Sequence, residues 1–188
     1  MVAAHPAVLR PQLIQFNRCK DVRMEGIHVK ESPFWTIHLF MCDGVAIRNI
    51  DVCAHGFNND GVGIEMTRNV RLENVKAKIV KQVAALSTST LYQWAAFPDY
   101  ETRITEIDGL SVRNVTCEAC EECAFALRGD KRLPAKNVVL ENVDVGRTQG
   151  RLFDIENVEN VKIDNVTCGG IGEVKYEFDG GRPKDGRP

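Results

Sequence analysis

The sequence lacks the features of several large protein classes. No apolar run reaches the roughly 18 residues that a membrane-spanning helix requires. The net charge is only −2, so no basic excess indicates a nucleic-acid surface. The first residues, MVAAHPAVLRPQ, lack the basic and apolar segments of a signal peptide, which leaves the cellular location unknown. With 188 residues, 44% of them hydrophobic, the chain is expected to form one domain with its own core.

Complete metal-binding motifs are also missing, although seven cysteines are present. Cys117, Cys120 and Cys123 have the spacing C-x-x-C-x-x-C, which is one half of many zinc or cluster sites. Zinc usually needs ligands from a second paired motif, and none is visible. We therefore interpret Cys117 and Cys123 as small buried residues on strands, with Cys120 at a turn. We predict no metal and no cofactor.

A repeated pattern organises the chain instead. Six segments read approximately polar–Val–x–apolar–x–Asn–apolar, and Val, Ile and Leu alternate with polar residues as they do in strands. The anchor positions are Val22, Val45, Val70, Leu110, Val138 and Val161, at intervals of 23, 25, 40, 28 and 23 residues. A second apolar stretch follows most anchors, namely FWTIHLF, GVGIEM, QVAALST, CAFALRG and RLFDIEN.

A unit of this length holds only short strands and cannot bury a core by itself, so it must stack on its neighbours. The pattern predicts an all-β fold, a right-handed parallel β-helix of about six partial rungs. A leucine-rich repeat would need regular Leu positions and a helical return segment, which are absent. The recurring asparagines are expected to form an internal ladder at a bend of each rung. They are Asn49, Asn74, Asn114, Asn142 and Asn165.

The predicted β-helix domain spans residues 1–178, and the Gly- and Pro-rich residues 179–188 are expected to be a disordered tail. The interval of 40 residues predicts a long loop at 87–107. This loop carries the aromatic residues Tyr92, Trp94, Phe97 and Tyr100. Such side chains could stack on sugar rings or simply seal the loop onto the helix.

Two motifs carry a resemblance to a known family. SPFWTIH, at residues 32–38, resembles an S-P-x-W-x-x-H segment, and NNDG, at 58–61, resembles an N-T-D-G or N-N-D-G motif. Both motifs resemble segments of glycoside hydrolase family 28, the polygalacturonase family. The later part, from LYQWAAF to VRNVTC and then GDKRLPAKNVVLENV, resembles the C-terminal rungs of its bacterial members. The resemblance implies a parallel β-helix that hydrolyses pectin, the galacturonan of the cell wall. Full-length relatives would be expected to be secreted or periplasmic.

The resemblance also implies a site, of which only one part is found. Asp60 matches the Asp of N-T-D and is the predicted catalytic residue. The family's Asp-Asp pair, Gly-His-Gly and Arg-x-Lys are not found, and Lys81 and Gln82 stand near where the pair would fall. We therefore expect a truncated member that lacks the middle catalytic rungs and has impaired or no activity. The predicted substrate-binding residues are Asn58, Asn59, His38, Lys81, Tyr92 and Trp94.

Hydrolysis with inversion requires two carboxyl groups roughly 6.5–9.5 Å apart. A partner for Asp60 on the next rung would fall at residues 81–84, which contain no carboxylate. Glu65, Asp43 and Asp51 are other candidates, but each is expected to be a solvated turn or strand residue. A sugar carboxylate would need a cation. The candidate cations, Lys81, Arg68, Lys78, Arg128 and Lys131, are scattered along the sequence.

Alternatives to the hydrolase remain open. The chain could be a non-catalytic β-helix that binds acidic polysaccharide, or a structural or interaction module. Open β-helix ends would expose unpaired strand edges and favour self-association. A calcium-dependent pectate lyase would need a cluster of acids, of which Asp60 and Glu65 are a minimal version. Neither a nucleic-acid nor a membrane partner is predicted.

Overall fold

The computed structural model describes residues 11–55, 59–87 and 106–172, in which the regular elements are thirteen β-strands. Their bounds are β1 Ile14–Asn17, β2 Lys20–Glu25, β3 His28–Lys30, β4 Ile37–Phe40, β5 Asp43–Ala54, β6 Val62–Glu65, β7 Arg68–Val80, β8 Ala84–Ser87, β9 Asp108–Cys120, β10 Phe125–Arg128, β11 Ala135–Thr148, β12 Phe153–Glu156 and β13 Val158–Cys168. Most of the predicted loop at 87–107, including its four aromatic residues, lies outside the described ranges. So does the predicted tail at 179–188. Within those ranges, no helix of membrane-spanning length and apolarity is found.

Short and long strands alternate along the chain and form two separate sheets. The short-strand sheet has the order β1-β4-β6-β8-β10-β12, and the long-strand sheet has the order β2-β5-β7-β9-β11-β13, with β3 also paired to β5. All neighbouring strands on these paths run parallel. Each pair of one short and one long segment is therefore a rung of a right-handed parallel β-helix, as the repeat predicted.

The register of the long-strand sheet matches the sequence repeat at every anchor position, although β5 and β7 shift register by one residue between Val52 and Ala54. Val22 pairs with Val45, Val45 with Val70, and Val70 with Leu110. The remaining pairs are Leu110 with Val138 and Val138 with Val161. The interval of 40 residues is thus one rung with an insertion, because the strands on either side keep the common register.

The core lies between the two sheets. Alternate residues of each strand point inward, so like positions of successive rungs stack about 4.8 Å apart. From the long strands, Ile47, Leu72, Val112 and Leu140 are almost fully buried and form one such column. From the short strands, Leu39, Ile64, Leu86 and Leu127 form another. Repeated burial of branched apolar side chains holds the stack together.

From β5 onward, each long strand bends at two residues with left-handed backbone conformation, one near its start and one near its middle. At the second of these bends the residue is always asparagine, with φ between 49° and 54°. Asparagine tolerates this conformation better than other residues with a Cβ. Asn49 donates a hydrogen bond to Glu25 over 2.8 Å, and each later Asn side chain donates to the preceding Asn over 2.8 to 3.3 Å. The series is Asn49, Asn74, Asn114, Asn142 and Asn165.

The asparagine ladder is therefore present, but the prediction that it is internal is wrong. All five residues are exposed, and the ladder runs along the outer surface. The reason is that the apolar residues on both sides of each bend occupy the interior. A polar side chain at the bend keeps contact with water and still finds a partner in the next rung.

The cysteines are partly placed as predicted. Cys117 is buried on β9. Cys120, predicted at a turn, is instead the fully buried last residue of β9. Cys123, predicted on a strand, lies in the connection between β9 and β10. The sulfur atoms of Cys117 and Cys120 are 3.5 Å apart, and both cysteines are free thiols. In the part of the chain that the structure describes, no group of three or more His, Cys, Asp or Glu residues is placed to hold a metal.

Candidate functional site

Several polar residues lie in the connections between each long strand and the next short strand, and we call these connections corners. These corners stack from rung to rung through backbone hydrogen bonds, because the strands on both sides share one register. The amide of Thr36 donates to the carbonyl of Asp60 over 3.2 Å. The amide of Lys81 donates to Asn59, and that of Glu122 donates to Lys81, each over 3.1 Å. Successive corners thus carry Asp60, Lys81 and Glu122, and we call these three residues the corner triad.

Gly61 explains how the corners approach each other so closely. A Cβ atom at this position would lie 3.0 Å from the carbonyl oxygen of Val83 and 3.1 Å from that of Gln82. The amide of Gly61 donates a hydrogen bond to the Gln82 carbonyl over 2.8 Å. The glycine of the NNDG motif is therefore needed for the rung contact directly beside Asp60.

Asp60 is buried, with 8% of its surface exposed. Its Oδ1 atom has no hydrogen-bond partner among residues 11–55, 59–87 and 106–172. Burial raises the pKa of the Asp60 carboxyl, the Lys81 ammonium lowers it, and the Glu122 carboxylate raises it further. The balance is a raised pKa, so Asp60 is poised to hold a proton at higher pH than an ordinary aspartate.

Lys81 lies between two acids. Its Nζ atom is 3.9 Å from Oδ1 of Asp60 and 3.4 Å from Oε1 of Glu122. Lys81 is thus beside the predicted catalytic residue, as a substrate-binding cation would need to be. Glu122, whose side chain is 54% exposed, is not predicted by any sequence pattern. It lies two rungs and a long insertion beyond Asp60, and only the shared register of the corners brings the two acids together.

His38 and Glu65 form a buried pair near the triad. His38 Nε2 lies 3.0 Å from Oε2 of Glu65, and His38 Nδ1 lies 3.0 Å from Oε1 of Gln12. Trp35 packs edge-on against the His38 ring, with 4.6 Å between ring centroids. His38 has no exposed surface, so the structure places it behind the corner rather than on its surface. Glu65 is buried as well, so the expectation that it is solvated is wrong. The hydrogen bond to His38 offsets the cost of removing the Glu65 carboxyl group from water.

Asn59 supports the corner through its side chain. Its Nδ2 group donates to the carbonyls of Ser32, over 2.6 Å, and His55, over 2.8 Å. Its Oδ1 atom is buried and has no hydrogen-bond partner within the described ranges. The other predicted binding residues, Asn58, Tyr92 and Trp94, lie outside those ranges.

The remaining candidate charges are distributed over other surfaces. Asp43 pairs with Arg68 over 2.6 Å, and Asp51 pairs with His28 over 2.8 Å. These two acids are on β5 in the long-strand sheet, away from the corner triad. They are the solvated strand residues that the sequence pattern predicted. Lys78 and Lys131 are exposed.

Arg128 pairs with Asp154 on the next rung, and this bond lowers the pKa of the Asp154 carboxyl. Arg151 adds a second contact to Asp154, over 3.6 Å. Arg128 is the last residue of β10, and Arg151 precedes β12, so both arginines belong to the short-strand side of the β-helix.

Comparison with protein families identifies one match. The model of the Glycosyl hydrolases family 28 matches residues 4–90, a little less than half of the chain. The matched segment contains His38, Asp60 and Lys81, whereas Glu122 lies beyond it. A search of curated proteins found no match.

Proposed function

Because residues 4–90 match the Glycosyl hydrolases family 28, we propose that this chain is a polygalacturonase-like glycoside hydrolase with impaired hydrolysis. Its corner triad receives an acidic, pectin-type polysaccharide. The observation that carries the proposal is the position of Lys81, whose Nζ lies 3.9 Å from Asp60 Oδ1. An ammonium group therefore stands on the rung where a second carboxyl group is needed.

The acid half of the reaction is supported by Asp60. A buried carboxyl group with raised pKa keeps its proton and can donate it to the oxygen of a glycosidic bond. The adjacent rung supplies Lys81 and Gln82, neither of which can act as a carboxylate base for water. Proton donation without water activation leaves the reaction incomplete, so we expect impaired turnover.

The binding half of the function is supported by Lys81. An ammonium group beside the site can pair with the carboxylate of a galacturonate ring. Asp60 and Glu122 compete for the same ammonium group at neutral pH. As the pH falls and Asp60 takes up its proton, one competitor becomes neutral. We therefore expect affinity for oligogalacturonides to rise toward mildly acidic pH, as long as the sugar carboxylates stay ionised.

Calorimetric titration with tetragalacturonate tests the binding. We expect saturable binding by the full chain, weakened about tenfold by Lys81→Met, since loss of one ion pair is worth on the order of 1 kcal/mol. Lys76→Met, an exposed lysine on β7, is the matched control and should leave the affinity unchanged. Flat titrations over the whole pH range would contradict a galacturonan-binding function.

Release of reducing sugar from polygalacturonate tests the impairment. We expect no release above the blank by the full chain, and no change on Asp60→Asn. Robust release that Asp60→Asn abolishes would show an unimpaired hydrolase. Binding without release is also the behaviour of the alternative function, a non-catalytic β-helix that binds acidic polysaccharide.

A further inference from the structure

We infer that Glu122 is the second carboxyl group of this site and that Lys81 keeps the Asp60–Glu122 pair latent by filling the space between the two acids. This inference rests on the proposed function and deepens it. It assigns a role to a residue outside the segment that matches the family.

Lys81 limits the separation of the two acids. Its Nζ atom lies 3.9 Å from Oδ1 of Asp60 and 3.4 Å from Oε1 of Glu122, so these two oxygens are at most about 7.3 Å apart. Inverting glycosidases need roughly 6.5–9.5 Å, which this pair reaches when the Lys81 ammonium lies nearly in line between the acids or when Glu122 extends. The half-exposed Glu122 side chain can also extend farther from the buried Asp60.

The environments of the two acids assign their roles. Asp60 is buried, which favours its protonated form and suits a general acid. Glu122 is half-exposed, so water can reach it and it suits a general base. The proton of Asp60 passes to the glycosidic oxygen as the bond from that oxygen to the anomeric carbon breaks. Water attacks that carbon from the opposite side and gives its proton to Glu122, and exchange with solvent then returns both carboxyl groups to their starting forms.

Lys81 opposes this reaction in two ways. The anomeric carbon and the attacking water must lie between the acid and the base, and the Lys81 ammonium contacts both carboxyl groups from that space. Its positive charge also lowers the pKa of Asp60 and thus favours the form that has no proton to donate. Removing both the bulk and the charge should therefore release the pair.

The buried Oδ1 atom of Asp60 lies 3.9 Å from Lys81 Nζ and has no hydrogen-bond partner in the described part of the chain. This polar atom is therefore available to a bound sugar.

The test compares three variants of the full chain. Lys81→Ala removes the charge and opens the space, Lys81→Met removes the charge but keeps the space filled, and Lys81→Ala with Glu122→Gln removes the base. We expect Lys81→Ala to release reducing sugar at least about a hundredfold above the wild-type background, because a positioned acid and base together supply such factors. Lys81→Met and the double variant should stay at background. Nuclear magnetic resonance of the first product should show inverted anomeric configuration.

Several results would overturn the inference. A folded Lys81→Ala protein that releases no sugar at high polygalacturonate concentration would do so, as would release that survives Glu122→Gln. Thermal melting checks the fold, and Lys81→Ser repeats the test if Lys81→Ala does not fold. Wild-type binding is titrated in parallel, because a flat titration removes the proposed function and the inference with it. Wild-type binding combined with an inactive Lys81→Ala protein removes the inference alone.

Discussion

At the scale of single residues, Asp60 is held between opposing effects. Burial disfavours its charged form, whereas Lys81 favours it. Burial is the larger effect, so the folded protein binds the Asp60 proton more tightly than the unfolded chain does. A group of this kind stabilises the fold at low pH. Its contribution is lost as the pH rises through the raised pKa of the folded state.

Asp60→Asn should therefore remove a pH-dependent term from stability. The free energy of unfolding of the variant relative to wild type should increase as the pH rises from about 4 to about 7, by roughly 1.4 kcal/mol for each unit by which the pKa is raised. Urea unfolding at a series of pH values measures this difference. Asp164→Asn, at an exposed aspartate on β13, is the control substitution. A flat or falling difference for Asp60→Asn would contradict the raised pKa.

At the scale of elements, the bends of the long strands depend on residue type. Asn114 combines a left-handed backbone, with φ of 52°, and two ladder bonds. It donates to Asn74 over 3.2 Å and accepts from Asn142 over 3.3 Å. The bend and the ladder therefore make separable contributions, since glycine adopts the bend but cannot form the ladder.

Asn114→Ala should lower the free energy of unfolding by about 2 kcal/mol, from the strained backbone and the lost hydrogen bonds. Asn114→Gly should lower it by only about 1 kcal/mol, because the backbone strain is avoided. Chemical denaturation of the two variants measures both values. Glycine usually weakens the interior of a strand, so a glycine variant that is more stable than the alanine variant is the reverse of the usual order. An alanine variant as stable as the glycine variant would show that the bend carries no strain.

The outer face of the long strands adds a column of alternating charge. Glu25, Arg48, Glu73, Arg113 and Glu141 occupy successive rungs in register. Arg48 lies 2.9 Å from Glu73, and Arg113 lies 3.4 Å from Glu141. Exposed pairs of this kind contribute little stability each. Skipping one rung would place like charges such as Arg48 and Arg113 opposite one another, so the column favours the observed order of the rungs.

At the scale of the whole molecule, each rung contacts only its neighbours. Stability is then the sum of the rungs and the interfaces between them. β9 is paired on both sides, by β7 and β11, whereas β13 is at the edge of the described sheet. The apolar residues of β13 are also less buried, and Ile163 is 44% exposed.

Amide hydrogen exchange should therefore be graded along the stack. We expect amides of β9 to exchange at least about tenfold more slowly than those of β13, because an edge rung opens without unfolding its neighbours. Exchange followed by mass spectrometry with peptide resolution measures the gradient. Equal protection of the two strands would show that the edge of β13 is covered or that the stack unfolds as one unit.

The sequence by itself determined the fold, because strands that stack on one another need the same apolar pattern in every rung, and this pattern is visible as a repeat. Val45, Val70 and Val138 align through the repeat alone, and their register is confirmed. The side of the asparagine ladder and the burial of Glu65 could not be predicted, since alternation defines two faces without saying what covers the outer one. The tertiary structure alone decided the composition of the corner triad. Asp60 and Glu122 are far apart in sequence, and only stacking across an inserted segment places Lys81 between them.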